Sequence, residues 1–433
     1  VNVGGFIAAF GSAEGLPAHG GQDVVIVSDP AEATEGRLSI WMSGDLLFAS
    51  TSPAVLEAQQ RIVEGTGAAL EGSFVAALND AYARGAEFLG AVDLTAIPHT
   101  AESAAHAEMI GFANAAHVVV ERRQDGQRTT TVGQLYFDGE RRGVAGWLAA
   151  PAAMAVLDFF SVEATIASAV VVKEPAELLD ELLGMARDQG VDMNTQAHGL
   201  DLRGDLLRPL GGEFAVGMDG PTLPVPAWKG IVEVYDAQRL QYAIESLVET
   251  ANDHPETMEE TVEIVLEQSD VDGYEGYSVT VLRGGAELPV AVHYAYVDGY
   301  LVVAPNAGLV RRAIDPWRSG VSLPTAAAFR ELVPQESYVG FSGVAFNRVG
   351  ELVAQLIEAI PDDLTTAQQE EIARIASATG SSLSVVYGEA DSIRFVMNGD
   401  SDTPFSVAHM LGLPAAMHQL RAAVPDSVWE LAR

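Results

Sequence analysis

Short bursts of alternating apolar and polar residues run through this chain, separated by stretches whose apolar positions recur with helical period. In "SIRFVMN", Ile393, Phe395 and Met397 alternate with Arg394 and Val396, the period of two expected of a strand with one drier and one wetter face. "GGEFAVGMDG", "WKGIVEVYD" and "GYEGYSVTVLR" read as further strands, and "AQRLQYAIESLVETAN" reads as a long amphipathic helix. In "SVEATIASAVVVKEPAELLDELLGMA" a strand passes into a helix, with Pro175 near the first turn, where a missing N–H is harmless.

The same order of elements is written nearly twice. At a constant separation of 255 residues, Gly44, Leu46, Ala49, Val55, Ala58 and Phe74 recur as Gly299, Leu301, Ala304, Val310, Ala313 and Phe329. Gly139 and Gly399 match at a separation of 260, and "PAAM" occurs at Pro151–Met154 and Pro414–Met417. Each copy predicts a hairpin, a helix, a second helix with Phe74 or Phe329 as buried anchor, a strand, a third helix and a closing hairpin. The third helices are "TAESAAHAEMIGFANA" and "TTAQQEEIARIASATG". Gly44 and Gly299 sit at the first turns, where a two-residue hairpin turn demands positive φ. The expected architecture is therefore α+β: a duplicated module of largely antiparallel sheet with helices packed on one face, the first copy truncated. The boundary is placed near residue 155, giving a partial copy over 1–155 and a complete one over 156–433.

Composition narrows the function classes. The chain has 433 residues, 48% of them hydrophobic, and a formal net charge of -36 from 60 acidic and 24 basic residues. Such a field repels phosphate backbones, so nucleic acid is not an expected partner. Only Lys173 and Lys229 are lysines, leaving arginine to carry nearly all positive charge. Cysteine is absent, which excludes disulfides, zinc thiolates and a cysteine nucleophile. No apolar run is long enough to predict a transmembrane helix. The chain opens on Val1 with no signal-like segment, as expected after removal of a leader or in an incomplete chain.

The run "LLRPLGGEFAVGMDGPTLPVPAWKGIVEVYDAQRLQYAIESL", followed by "YVDGYLVVAPNAGLVRRAI" and "AFRELVPQESYVGFSGVAFN", resembles a family of bacterial cell-envelope proteins with a repeated domain of unknown function. The resemblance covers residues 160 to 350 well and the first copy loosely. It implies a periplasmic or extracellular location and carries over no catalytic residues.

Candidate chemistry is sparse. "GFSGV" around Ser342 approaches a nucleophile elbow, but Val344 stands where the second glycine belongs, so Ser342 reads as a strand serine. His99, Glu102 and His106 share a predicted helix face, yet the second copy has no histidine there. Oxygen-rich turns at Asp270, Asp272 and Glu275 and at Asp400 and Asp402 are weak calcium candidates; the full loop spacing is missing, and solvated turns are the default. Trp228, closing the proline-rich "GPTLPVPAW", is a weak partner-binding candidate, with core placement as the alternative. Thr129–Thr131, beside Arg122, Arg123 and Arg128, read as an exposed strand face. These readings point to a non-enzymatic scaffold that binds protein partners or itself. The alternatives are a carrier of a lipid or other apolar ligand, favoured by a dry cavity of several hundred Å3, and an enzyme of unrecognised type.

Overall fold

The computed structural model describes residues 25–44, 46–66, 72–96, 107, 111–126, 128–188, 196–197, 200–221, 225–253, 262–283, 286–335, 338–348, 350–351 and 380–399. Its contacts divide the chain into two compact units, Val1–Ala77 and Leu78–Arg433. The boundary expected near residue 155 falls inside the second unit, because strands on both sides of it share one sheet.

In the first unit β1 (Val25–Val27) pairs in parallel with β2 (Ser39–Ser43), which forms a hairpin with β3 (Leu46–Ser50) through Gly44 at φ 60°. Helix α1 (Pro53–Val63) follows, with Ser52 at its N-cap and Pro53 in its first turn. Its buried Leu56 joins Val27 and Trp41 in a small core, where the Trp41 and Phe48 rings stack at 5.1 Å. Helix α2 (Ser73–Ala83) contains the division between units. Phe74 is only half-buried, and Ala77 and Ala81 hold the buried positions instead.

Among the described residues the second unit is organised by a sheet of thirteen strands. In chain order these are β4 (Phe88–Asp93), β5 (Ala115–Asp125), β6 (Arg128–Phe137), β7 (Ile166–Val171), β10 (Leu210–Met218), β11 (Trp228–Val234), β12 (Val262–Val271), β13 (Tyr274–Arg283), β14 (Ala286–Val297), β15 (Tyr300–Ala304), β16 (Gly343–Asn347), β17 (Ser382–Gly388) and β18 (Ser392–Gly399). The two-residue strands β8 (Gln196–Ala197) and β9 (Leu200–Asp201) pair separately. Across the sheet the order is β12-β13-β14-β15-β11-β10-β7-β16-β17-β18-β6-β5-β4, and every neighbouring pair is antiparallel. Among the described residues three longer helices belong to this unit: α3 (Pro175–Asp188), α4 (Ala237–Asp253) and α5 (Ala307–Ser319). Helix α5 is capped at both ends, by the Asn306 side chain on Leu309 N–H and by Gly320 in the left-handed region. The turns at Asp272-Gly273 and Asp298-Gly299 have positive φ at both residues, as primed hairpin turns require.

Register turns this topology into a core. Ile231, Ala215, Ala169, Val344, Val385, Val396 and Val132 stand opposite one another across seven consecutive strands, each at most 7% exposed. The segment Ala155–Phe159, helix α5 and the short helix Ala327–Arg330 supply the residues packed with this row. Phe159 and Phe160 are fully buried, and Phe159 stacks on Trp317 of α5 at 4.6 Å with 5° between the rings.

Helices occupy both faces, which corrects the one-sided expectation. Ala295 and Val297 of β14 pack in the core with α5 residues, whereas Tyr294 and Tyr296 point the other way and donate to Gln241 Oε1 of α4 at 3.0 and 3.2 Å. Alternation along β14 thus sets α4 against α5. A second correction concerns wetness. Phe395 and Val396 are both buried because β18 lies in the interior of the sheet, so alternation there distinguishes two faces without marking either as solvent. For the same reason Thr129 and Thr131 of β6 are buried and Thr130 donates to Asn398 Oδ1 at 2.7 Å, so this is not an exposed face. The expected third helices lie outside the described residues, apart from Ala107, residues 111–115 and Gly380.

Phe159→Ala removes a fully buried ring between sheet and α5, and is expected to cost about 3–5 kcal/mol. Urea unfolding should show a lower midpoint at unchanged slope.

Candidate functional site

Opposite the core row lies its alternate row: Val232, Phe214, Val170, Gly343, Val386, Phe395 and Gly133, again matched strand by strand. One step along the strands, Ser168, Ala345 and Ser384 stand side by side on β7, β16 and β17. This face of the sheet centre holds an open trough of about 450 Å3. Its floor is shallow-cut because β16 offers only Gly343 and Ala345, while Phe214, Val232, Val386 and Phe395 rise on either side. The strands that line it are nearly continuously apolar, as interior strands are. Within the lining, among the described residues, the only side-chain polar atoms belong to Ser168 and Ser384, two strands apart and so roughly 9–10 Å from each other along the sheet. The trough can therefore take up an apolar body and offer it two hydroxyls, with no titratable group among the described residues that line it.

A second constellation lies on the core face. Lys229 of β11 is completely buried; its Nζ donates to Asp219 Oδ2 at 2.6 Å and to the Phe159 carbonyl at 3.2 Å, and it stands 5.6 Å from the centre of the Phe160 ring. Asp219 also accepts from Ser161 N–H at 2.7 Å and Ser161 Oγ at 2.5 Å. Burial pushes the Asp219 carboxyl up, but the Lys229 ammonium and the two Ser161 donors outweigh it and leave the group below the usual carboxylate range. Burial also pushes Lys229 below the usual lysine range, against the pull of Asp219. These directions fit one picture, an intact ion pair for which the ammonium bears the larger desolvation. A cavity of about 520 Å3 adjoins it, lined by Ser161, Glu163, Asp219, Arg312, Asp315 and Glu351 among others. With its donors directed at protein acceptors and no exposure, Lys229 is a clamp that fixes the 155–161 segment to β10 and β11 rather than an available nucleophile.

The remaining candidates do not converge. Asp270 Oδ1 accepts from Gly273 N–H at 3.1 Å, Asp272 pairs with Arg311 at 3.3 Å, and Glu275 accepts from Tyr277 OH at 2.6 Å and Gln268 at 3.1 Å. The three carboxylates of the β12–β13 turn are thus each engaged separately. Among the described residues no group of three or more His, Asp or Glu is placed to hold an ion. Asp400, Asp402, His99, Glu102 and His106 lie outside the described residues. Trp228 is half-buried at the start of β11, opposite Met218. Ser342 is fully buried and its Oγ accepts from Gly388 N–H at 2.8 Å, so it joins strands and faces no substrate.

Sequence reading passed over the Lys229–Asp219 pair, although one of only two lysines inside an apolar strand, "WKGIVEV", is a usable signal of a buried, paired cation. It also passed over Glu121, which continues the core row beyond Val132. That carboxylate is 1% exposed and accepts from Arg84 Nε at 3.0 and 3.2 Å. No membrane-crossing helix, long and apolar enough to span a bilayer, occurs among the described residues. Comparison with family models, curated proteins and solved structures finds no match to this chain.

Removing one partner of the buried pair leaves the other uncompensated, so Asp219→Asn or Lys229→Met alone is expected to cost about 3–5 kcal/mol, and the double variant Asp219→Leu/Lys229→Met much less than the sum. The Asp219 carboxyl lies below its unfolded value of about 3.9. Its contribution is therefore present above that pH and lost as pH falls through the folded value. Denaturant titrations from neutral to acid pH should show a smaller acid loss in the double variant than in the parent.

Proposed function

We propose that the chain is a non-enzymatic binding protein of the cell envelope or extracellular space, and that it takes an apolar ligand, of the acyl-chain or similar lipid class, on the open face of its central sheet. The trough carries this reading: it falls in the size range of small-molecule sites, and such sites combine an apolar lining with a few placed polar groups. Ser168 and Ser384 are those groups. A scaffold role remains compatible with it, because a wide sheet offers its edges and its ligand face independently. The envelope location rests on the resemblance of residues 160 to 350 to exported proteins.

The repeat belongs to the same proposal. Each half orders its elements as hairpin, helix, short or long second helix, strand and closing hairpin. The separation of 260 residues that matches Gly139 to Gly399 also matches Gln134 to Arg394, and these two residues face each other where β6 pairs with β18. Equivalent strands meeting antiparallel at equivalent residues is what a local two-fold generates. The support is for two copies of an α+β module, the first truncated, joined edge to edge near residues 134 and 394.

Native mass spectrometry after gentle purification is expected to reveal a co-purifying apolar adduct, and an apolar fluorescent probe should bind and be displaced by fatty acid. Ala345→Phe places a ring on the trough floor and is expected to weaken probe binding by about tenfold or more, ~1.4 kcal/mol, with the melting temperature little changed. Undiminished probe binding by that variant would sink the assignment.

A further inference from the structure

The two edges of the thirteen-stranded sheet are built differently. At one end β12 is guarded. Its exposed Glu263, Glu267 and Asp270 put charge on the strand, and Asn252 at the end of α4 covers it, donating to the Ile264 carbonyl at 2.8 Å and accepting from Ile264 N–H at 2.8 Å. Charge and a covering side chain are the usual devices that stop an edge from recruiting another strand.

At the other end the one charge on β4 is Asp93, its last residue. Its run Phe88, Leu89, Gly90, Ala91, Val92 is uncharged in a strongly acidic chain, contains no proline, and pairs with β5 without a bulge. Among the described residues β5 is its only strand partner, so the alternate N–H and C=O groups of β4 face outward. Phe88 and Val92, on one face by alternation, are 59% and 44% exposed. The Phe88 ring lies over Gly90, 3.5 Å from where a Cβ would stand, and so stiffens the strand at its weakest residue.

We propose that β4 is a self-association edge and that its occupant is β4 of a second copy of this chain, antiparallel across a two-fold axis near Gly90. The run is self-complementary in that register: Phe88 of each copy meets Val92 of the other, and Gly90 meets Gly90. Because the opposite edge is guarded, the assembly closes as a dimer and does not grow head to tail. The same register sets Glu87 against Asp93, and each copy carries a formal charge of -36, so electrostatics opposes association and salt relieves it. One short strand and two side chains per copy bury less than the roughly 1,200–2,000 Å2 of a stable complex, which makes the dimer weak and reversible. The inference is independent of the trough, which lies on the sheet's face.

Sedimentation velocity over a wide range of protein and sodium chloride concentration tests it. The expected result is a monomer–dimer equilibrium that shifts toward dimer as salt rises. Phe88→Lys/Val92→Lys and Phe88→Glu/Val92→Glu, at exposed positions and checked for unchanged thermal melting, should each weaken the dimer by about tenfold or more. An equimolar mixture of the two variants should restore association as a heterodimer, since the introduced lysines would meet the introduced glutamates across the axis only if β4 pairs with β4. A parent that stays monomeric throughout, variants that dimerise as the parent does, a mixture that fails to associate, or growth into larger polymers would each overturn the proposal.

Discussion

The second unit depends on how one face of its sheet is covered. The segment from Ala155 to Ser161 lies on the central strands with Phe159 and Phe160 fully buried, and Lys229 ties it down through the Phe159 carbonyl and through Asp219, itself held by Ser161. A short irregular segment has few backbone bonds of its own, so packing and this ion pair must hold it in place. With that face sealed by the segment and α5, the other face of the same strands is left to α4 at one end and to the trough in the middle. Sealing one side defines the opening on the other.

Several parts of this arrangement are legible in the sequence. The strands β10, β11 and β13 and the helices α3 and α4 fall where periodicity, Pro175 and the turn glycines place them. The hairpins turning at Gly44 and Gly299, and the helices that start at Pro53 and Ala307 after them, also fall where the turn glycines and the helical period place them. These features are local: an alternating pattern, a cap or a positive φ needs no knowledge of the neighbours.

The features that escaped are those fixed by neighbours. Alternation in β18 says that Phe395 and Val396 lie on opposite faces, but only the pairing with β17 and β6 makes both dry. Thr129 and Thr131 look like surface residues until β18 covers their edge. The trough likewise arises from the register among β7, β16 and β17, which sets Gly343 between Val170 and Val386 and Ala345 between Ser168 and Ser384. No single strand announces it, since a small residue inside an apolar run is equally compatible with a tightly filled core. At the acidic turn of Asp270, Asp272 and Glu275 composition leaves a solvated turn and a calcium loop both open, and it is the neighbours Gly273, Arg311 and Tyr277 that engage those oxygens.

The rarity of lysine gives the buried clamp a practical use. Lys173 is exposed and Lys229 is fully enclosed, so amine-directed reagents acting on the native chain have one side chain to modify. Acylation at Lys229 would register each opening of the protein interior, and the labelling rate at that one atom would time how often the molecule lets go of its own core.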